Sequence, residues 1–333
     1  MALASDLRRQ EIALMRVFLT GATGTIGRRL VPLLLGAAHA VTAVARSRDK
    51  RAALERQGAA TVELDLFARE AVKRAIAGHE AVVNLATHIP RSSVRLLLPG
   101  AWSENDRIRR DASAILVDAA LAAGATRFVQ ESFAPIYEGR GDAWIDEDSP
   151  VRPVRYNRTT LDAEGSAARF GAGWGVGVVL RFAGFYGPDA FQVHDLARAI
   201  RRGFALLPGP PEAFLSSISH DDAATACLAA LSVPSGVYNA ADDEPLTHRA
   251  YVDAAATALG VPSPRLPPRW AGSLMGSLGE LLSRSQRISS AKLRRASGWS
   301  PRYPSAREGW LATVAQLRTA PAPGRAASAH RAR

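Results

Sequence analysis

Three evenly spaced glycines lie early in the chain, in the stretch RVFLTGATGTIGRRLVPLLL. Gly21, Gly24 and Gly27 separate an apolar, strand-like segment from an amphipathic, helix-like one. Glycines at such a turn allow a sharp bend and close approach of the backbone to a phosphate, and the free N–H groups of a helix N-terminus attract anions. The spacing therefore predicts a pyrophosphate site for a dinucleotide. The other residues of this turn that are predicted to line the site are Thr23, Thr25 and Ile26.

The residues after the second predicted strand indicate which dinucleotide is bound. An acidic residue at this strand end would bind the ribose 2′-hydroxyl of NAD, whereas arginine accommodates the 2′-phosphate of NADP. The stretch ARSR has Arg46 and Arg48 at this place and contains no acid. The sequence therefore favours NADP(H) as the cofactor, with NAD(H) as the alternative.

The ends of the third and fourth predicted strands should reach the same crevice. A carboxylate just after the third strand, in LDLF, can bind the adenine amino group, and the stretch NLATH ends the fourth strand at its carboxyl edge. The predicted contacts from these two segments are Asp65, Leu66, Leu85, Ala86 and Thr87.

The elements that position these residues alternate between strands and helices. This rhythm predicts an α/β fold with a parallel, Rossmann-type doubly wound sheet, and the continuous β-branched runs predict strands that are covered on both faces. The predicted strands are 16–20, 40–45, 60–64, 80–86, 127–132 and 176–182. The predicted helices lie near 25–37, 49–57, 68–77, 102–123 and 156–170.

Composition divides the chain into four predicted parts. Proline and glycine cluster from about residue 185, where the strand–helix rhythm changes. The parts are an N-terminal tail (1–14), a dinucleotide-binding domain (15–184) to which later segments return, a smaller substrate-binding part (185–318) and a disordered basic tail (319–333).

The net charge of +11 resides in the C-terminal fifth of the 333 residues, since Arg265–Arg333 holds thirteen basic residues and only two acidic ones. Such asymmetry suggests an anionic small-molecule substrate, and the lack of a recognisable nucleic-acid module argues against nucleic acid. The single cysteine, Cys227, excludes a disulfide within the chain. We expect a cytoplasmic protein without a membrane span or a metal site, and a homodimer is left open.

Several motifs together resemble the extended short-chain dehydrogenase/reductase family, which includes nucleotide-sugar epimerases and dehydratases. They are TGATGTIG, LDL, NLA, the segment from Tyr156 to AEG, LRFAGFYGPD, SISHDDAATACLAAL and RRASGWSPRYPSAREGW. The resemblance covers about residues 15–316. It implies a Rossmann domain with a smaller C-terminal substrate domain, hydride transfer at a nicotinamide, and a place for Phe185 beside that ring.

The same resemblance implies a catalytic group made of a Ser or Thr hydroxyl, a Tyr acid/base and a Lys that lowers the pKa of the tyrosine. Tyr156 matches the tyrosine, but Thr160 stands in the place of the lysine and Phe133 in the place of the serine. The helical Asn that supports a proton relay in the family falls on Arg109.

Without a lysine, Tyr156 is expected to be a poor base but a competent acid, which favours reduction over alcohol oxidation. Groups that could replace the missing ones lie at the end of the fifth predicted strand. The candidate catalytic residues are therefore Tyr156, Tyr137, Ser132 and Glu131.

Three functions are compatible with these motifs. The favoured one is an atypical NADP-dependent oxidoreductase that reduces a carbonyl or enone of a small organic substrate. The second is a catalytically silent NADP-binding sensor. The third is an epimerase, dehydratase or isomerase that uses a bound cofactor transiently.

Overall fold

A computed structural model describes residues 14–90, 98, 100–205 and 207–319. The predicted tails therefore lie almost wholly outside the described residues. The strands are, in chain order, β1 (Arg16–Thr20), β2 (Ala40–Val44), β3 (Ala60–Val62), β4 (Ala81–Asn84), β5 (Arg127–Phe133), β6 (Trp144–Ile145), β7 (Val176–Phe182), β8 (Gly184–Tyr186), β9 (Phe214–Leu215), β10 (Ser217–Ser219), β11 (Gly236–Ala240), β12 (Leu246–Thr247) and β13 (Arg287–Ile288).

The α-helices alternate with these strands. They are α1 (Gly27–Gly36), α2 (Arg48–Glu55), α3 (Arg69–Ile76), α4 (Ser103–Arg107), α5 (Ser113–Ala122), α6 (Thr160–Gly171), α7 (Phe191–Arg201), α8 (His220–Ala229), α9 (His248–Leu259), α10 (Gly276–Leu282), α11 (Ala291–Ser297) and α12 (Ala306–Thr319). None of the helices in the described ranges is long and apolar enough to cross a membrane.

Seven strands form one parallel sheet in the order β11-β7-β5-β4-β1-β2-β3. The order reverses between β1 and β4, and such a switch point opens a ligand crevice at the carboxyl ends of the strands. Alternate residues of β1 enter different cores: Val17 and Leu19 pack with the residues of α1, and Phe18 packs with those of α3 and α5. The predicted doubly wound α/β fold with strands covered on both faces is confirmed.

A third apolar core lies in the second half of the chain. It is formed by α7, α9 and α12 and includes the fully buried Trp310 and the buried Tyr186. Two two-stranded sheets, β10-β8 and β12-β9, lie in this half, and a third, β13-β6, joins it to the segment before α6. The core falls within the part expected to bind substrate, and the exact division into domains stays a prediction.

Several predicted elements end, break or begin elsewhere than expected. Strand β4 ends at Asn84, whose side chain accepts a hydrogen bond from the Ala86 N–H and so turns the chain out of the sheet. The predicted helix 102–123 is divided by a π-helical turn, Ile108–Ala112. The predicted helix 156–170 begins with a separate 3-10 turn, Arg155–Asn157, and α6 starts only at Thr160.

Candidate cofactor and active site

The glycine turn joins β1, the end of β4 and the start of α1 at very short distances. Gly21 has φ +69, and a Cβ there would lie 2.3 Å from the Leu85 carbonyl oxygen. A Cβ at Gly27 would lie 2.2 Å from the Gly21 carbonyl oxygen. Both positions exclude a side chain, so these two glycines hold α1 against the sheet.

Gly24 differs from its neighbours because it is exposed at the crevice. Its N–H donates to the Gly21 carbonyl at 2.9 Å, and a Cβ there would meet only that same oxygen, at 3.1 Å. In the described structure no side chain caps the N-terminus of α1. Exposed backbone at a helix N-terminus without a cap is what a pyrophosphate requires, so the residues fit a dinucleotide. Thr23, Thr25 and Ile26 are half-buried on this turn.

Arg46 and Arg48 lie exposed after β2, on either side of the residue that caps α2. Ser47 provides that cap by accepting the Lys50 N–H. A third arginine, Arg51, is instead engaged with the Glu63 carboxylate. Within the described residues neither Arg46 nor Arg48 has such an ion-pair partner, so both can reach a ligand phosphate.

The expected adenine side of the crevice is built by the loops after β3 and β4. Asp65 is exposed, and its Oδ1 accepts the Phe67 N–H at 3.0 Å. The Phe67 ring also carries the Arg107 guanidinium of α4, 3.5 Å from its centroid. The flanking residues Leu66, Ala86 and Thr87 are half-buried, and Leu85 is 8% exposed.

A buried polar network beneath the crevice ties the central strands together. The Asn84 carboxamide accepts the Thr20 hydroxyl at 2.6 Å and donates to Gln130 Oε1 at 2.9 Å and to Ser113 Oγ at 3.2 Å. These residues come from β1, β4, β5 and α5, so the network fixes the carboxyl ends of adjacent strands. The sequence motif NLA includes Asn84, but the partners come from distant segments and were not predicted.

Tyr156, expected at the rim of the crevice, lies in the 3-10 turn before α6, with its ring 4.6 Å from that of Trp102. Burial raises the pKa of its phenol above the ordinary value, and the charges of Arg109 and Arg284 act in the opposite direction. The phenol therefore keeps its proton at neutral pH and can act as an acid rather than a base.

Arg109 lies in the π-helical turn and contacts the residue four positions after Tyr156. Its Nη1 donates to the Thr160 hydroxyl at 2.7 Å, and its Nη2 lies 3.7 Å from Glu131 Oε1. Two of the three positions at which the chain departs from the family, 109 and 160, are therefore in direct contact. Sequence comparison identified both positions but not their contact.

Glu131 lies near the end of β5 on the side of Arg109. It is 8% exposed, and its Oε2 has no hydrogen-bond partner within the described residues. Burial raises the pKa of this carboxyl, while the charge of Arg109 lowers it. Phe133, two residues further along the same strand, is half-buried.

Ser132 and Tyr137, two of the expected catalytic residues, lie away from this rim. Both are 0% exposed. Ser132 donates to Glu164, which in turn accepts two hydrogen bonds from Arg181, at 2.8 and 2.6 Å. The Tyr137 hydroxyl donates to Asn239 Oδ1 and accepts from Arg181 Nη1, each at 2.8 Å. A hydroxyl that solvent cannot reach does not contact a ligand in this conformation.

We therefore propose a structural role for Tyr137, and Tyr137→Phe tests it. Burial raises the pKa of Tyr137 to about 12, so the hydroxyl stays protonated and both of its hydrogen bonds persist at neutral pH. The variant leaves Arg181 and Asn239 with unsatisfied buried groups, which should cost about 1–3 kcal/mol in the free energy of unfolding measured with urea. Turnover should stay within about threefold. A collapse of turnover at unchanged stability would restore the catalytic interpretation.

Phe185 lies in β8, next to the expected nicotinamide side of the crevice. Its ring is 5.4 Å from that of Phe182 and 5.9 Å from that of His220. Burial lowers the pKa of His220 to about 4, so this imidazole is uncharged at neutral pH. The rings of Phe185 and His220 therefore carry no charge at neutral pH.

Much of the basic C-terminal surface is engaged within the fold. Arg287 stacks on Trp144 and Phe214, and Arg294 and Arg307 pair with the carboxylates of Asp243 and Glu244. These partners account for part of the charge without an anionic ligand. A group of three or more His, Cys, Asp or Glu side chains suited to a metal was not found among the described residues.

Known proteins resemble the chain in sequence and in fold. Residues 21–166 match the profile of the NAD(P)H-binding family. A 3-diazoavenalumate denitrifying reductase from a Streptomyces species is 35% identical over 309 residues, which are 89% of this chain and 99% of that protein.

Solved structures agree with this assignment. MoeE5 in complex with UDP-glucuronic acid and NAD has a TM-score of 0.73 and 26% identity, covering 91% of this chain and 99% of that one. The human epimerase family protein SDR39U1 with NADPH has a TM-score of 0.76 and 21% identity, covering 91% and 100%, and shares the fold. The chain, with its NAD(P)H-binding domain, belongs to the extended short-chain dehydrogenase/reductase family of oxidoreductases.

Proposed function

We propose that the chain is an NADPH-dependent reductase of a small organic acceptor, with Tyr156 as the proton donor. The observation that carries this proposal is the partly buried phenol of Tyr156, held in its protonated form at the rim of a crevice that fits a dinucleotide. A phenol that is protonated at neutral pH can donate a proton but cannot act as a base, which supports reduction, because alcohol oxidation needs a base.

Each part of the crevice has a task in this reaction. The glycine turn and the N-terminus of α1 hold the pyrophosphate, and Arg46 and Arg48 hold the 2′-phosphate. When bound, NADPH supplies a hydride. Tyr156 donates a proton to the substrate atom that becomes negative, and Trp102 fixes its ring. We assign no direct contact with substrate to Ser132, because its hydroxyl is buried against Glu164.

Two acceptor classes deserve testing. A carbonyl or enone takes up one hydride and one proton. A neutral diazo compound takes up the same pair: its C–N bond breaks and N2 leaves, one of the two hydrogens forms a C–H bond at that carbon, and the other is bound by the same carbon or by a conjugated oxygen. The diazo class is favoured by the activity for which the Streptomyces relative is named, the denitrifying reduction of 3-diazoavenalumate. It is also favoured by Phe133, whose side chain has no hydroxyl to bind a carbonyl oxygen. The aromatic pair of Trp102 and Tyr156 suits a planar aromatic substrate in either class.

The proposal is tested by NADPH consumption with three acceptors: 3-diazoavenalumate, an aromatic aldehyde and an aromatic enone. Loss of nicotinamide absorbance with at least one acceptor, with the reduced product identified by mass spectrometry, is the expected result. Tight NADPH binding without consumption by any acceptor would instead favour the silent sensor. A cofactor that stays bound through purification and is not consumed while a sugar nucleotide is converted would favour the epimerase.

Replacing Arg46 and Arg48 together by Ala should change cofactor preference rather than fold. Loss of two exposed contacts to the 2′-phosphate should weaken NADPH binding by about 10–100-fold and leave NADH binding nearly unchanged. Both affinities can be measured by nicotinamide fluorescence titration. Arg56→Ala removes another exposed arginine from the same region and serves as the control. Equal weakening of both nucleotides would contradict the assignment.

A further inference from the structure

The charge of Arg109 is only partly balanced inside the protein. Its side chain is 6% exposed. One terminal nitrogen donates to the uncharged hydroxyl of Thr160, and the other lies 3.7 Å from Glu131, beyond hydrogen-bond distance. The Nε has no hydrogen-bond partner within the described residues. Burying a cation with so few partners lowers the stability of the fold, so its retention points to a function of the charge.

A second buried arginine shows the contrasting arrangement. Arg181 makes two short hydrogen bonds to the Glu164 carboxylate and a third to the Tyr137 hydroxyl. Its charge is therefore neutralised where it lies, whereas that of Arg109 remains available to its surroundings.

Two local features place Arg109 beside the segment that carries Tyr156. Thr160 is the first residue of α6 and follows Tyr156 by four positions, so its hydroxyl anchors the guanidinium beside the turn that carries the phenol. Arg109 itself lies in the π-helical turn between α4 and α5. Such turns insert an extra residue into a helix and are frequent at functional sites.

We infer that Arg109 is the positioning residue that keeps a permanent positive charge at Tyr156 and stabilises the phenolate left when Tyr156 gives up its proton. The catalytic consequence of this inference rests on the proposed function. The effect of the Arg109 charge on the ionisation of Tyr156 does not depend on that function. In the step itself the phenolic O–H bond breaks, the proton passes to the substrate, and the electron pair stays on the phenolic oxygen. The guanidinium keeps all of its protons.

The replacements at positions 109 and 160 compensate each other. A side chain that could carry a charge is lost at position 160, and a cation is gained at position 109, where its guanidinium contacts the residue at 160. A lysine at 160 in the presence of Arg109 would place two cations together in a buried site, so each of these choices excludes the other.

The other charged groups around Tyr156 leave Arg109 as the dominant cation. Arg284 also acts on the phenol, but its Nη2 is paired with Glu280 at 2.9 Å. Glu131 faces Arg109 and can reduce its effect only from 3.7 Å. Removing Arg109 should therefore have the larger electrostatic effect.

The decisive experiment places a ring-fluorinated tyrosine, whose phenol ionises at lower pH, at position 156 and follows its ionisation by ¹⁹F NMR. The measurement uses the full chain without cofactor or substrate, and compares Arg109→Met and the double variant Arg109→Ala/Thr160→Lys. The midpoint should rise by about 1–3 pH units in Arg109→Met, as expected for loss of a nearby opposite charge. In the double variant the midpoint should fall most of the way back to the wild-type value, because Lys at position 160 supplies a cation next to the place that Arg109 occupied.

An unchanged midpoint in folded Arg109→Met would overturn the inference, as would a shift that Thr160→Lys fails to reverse. Thermal unfolding establishes that each variant is folded. If Arg109→Met does not fold, Arg109→Lys and Arg109→Ala with added guanidinium replace it, with urea as the uncharged comparison. Guanidinium should then lower the midpoint in Arg109→Ala and urea should not; equal effects would reject the electrostatic role.

Turnover provides a separate result. Arg109→Met should lower kcat by about 10–100-fold, and the double variant should regain most of it. The titration needs no reaction. If the Tyr156 midpoint shifts as expected in the variants but the protein turns over none of the acceptors, the proposed function is rejected and the inference stands. Turnover that is indifferent to Arg109, together with an unchanged midpoint, would reject the inference alone.

Discussion

Tyr156→Phe is expected to lower kcat for reduction by about 10²–10⁴-fold, the usual contribution of a positioned proton donor. Phenylalanine preserves the ring that packs 4.6 Å from Trp102 and removes only the hydroxyl. The fold and NADPH affinity should therefore be almost unchanged. The measurement is steady-state NADPH oxidation with whichever acceptor the wild-type chain reduces.

Tyr303→Phe is the matched control, because Tyr303 lies in the loop before α12 and has no role in the proposed reaction. It should keep kcat within about twofold. If Tyr156→Phe retained full activity, proton donation would have to be reassigned, and Glu131, with its raised pKa and unpartnered Oε2, would be the next residue to substitute.

Gly24→Ala should abolish high-affinity cofactor binding while the protein stays folded. A Cβ at this position meets only the Gly21 carbonyl oxygen, at 3.1 Å, so folding requires the turn to shift by only a few tenths of an ångström. The methyl group would otherwise project at the exposed surface where the pyrophosphate must approach. Loss of about two charge-assisted hydrogen bonds corresponds to at least a 100-fold rise in the Kd for NADPH, measured by calorimetry.

Gly36→Ala at the other end of α1 is the comparison, because a Cβ there would meet nothing within 4 Å. This variant should bind NADPH like the wild type, and both variants should unfold at similar temperatures. Unimpaired binding by Gly24→Ala would mean that the pyrophosphate does not lie against this turn.

Features set by neighbouring residues were predictable from the sequence. The turn of Gly21, Gly24 and Gly27 depends on local backbone freedom, and the parallel strands depend on apolar runs of limited length. Both therefore appear in the structure close to where the residues place them. The same holds for Arg46 and Arg48, whose position follows from the end of β2.

Features that depend on contacts between distant segments were not predictable. Arg109 and Thr160 are 51 positions apart, and their contact requires both the π-helical turn and the late start of α6. Ser132 was expected at the active site because it ends the fifth predicted strand, and Tyr137 because it follows closely after that strand. The pleat turns Ser132 to the face opposite Glu131, towards Glu164, and a 3-10 turn, Ala134–Ile136, leads Tyr137 into the interior.

The central claim is that the crevice binds NADPH and that its hydride reaches a substrate carbon or nitrogen. The most direct test is a reaction with NADPH carrying deuterium at the transferred position of its nicotinamide, followed by mass spectrometry of the product. For 3-diazoavenalumate or a carbonyl acceptor, the account predicts product formed with one oxidised cofactor per turnover and, for the carbonyl, one deuterium retained on carbon. Product that forms without cofactor oxidation, or a carbonyl product free of deuterium, would contradict it.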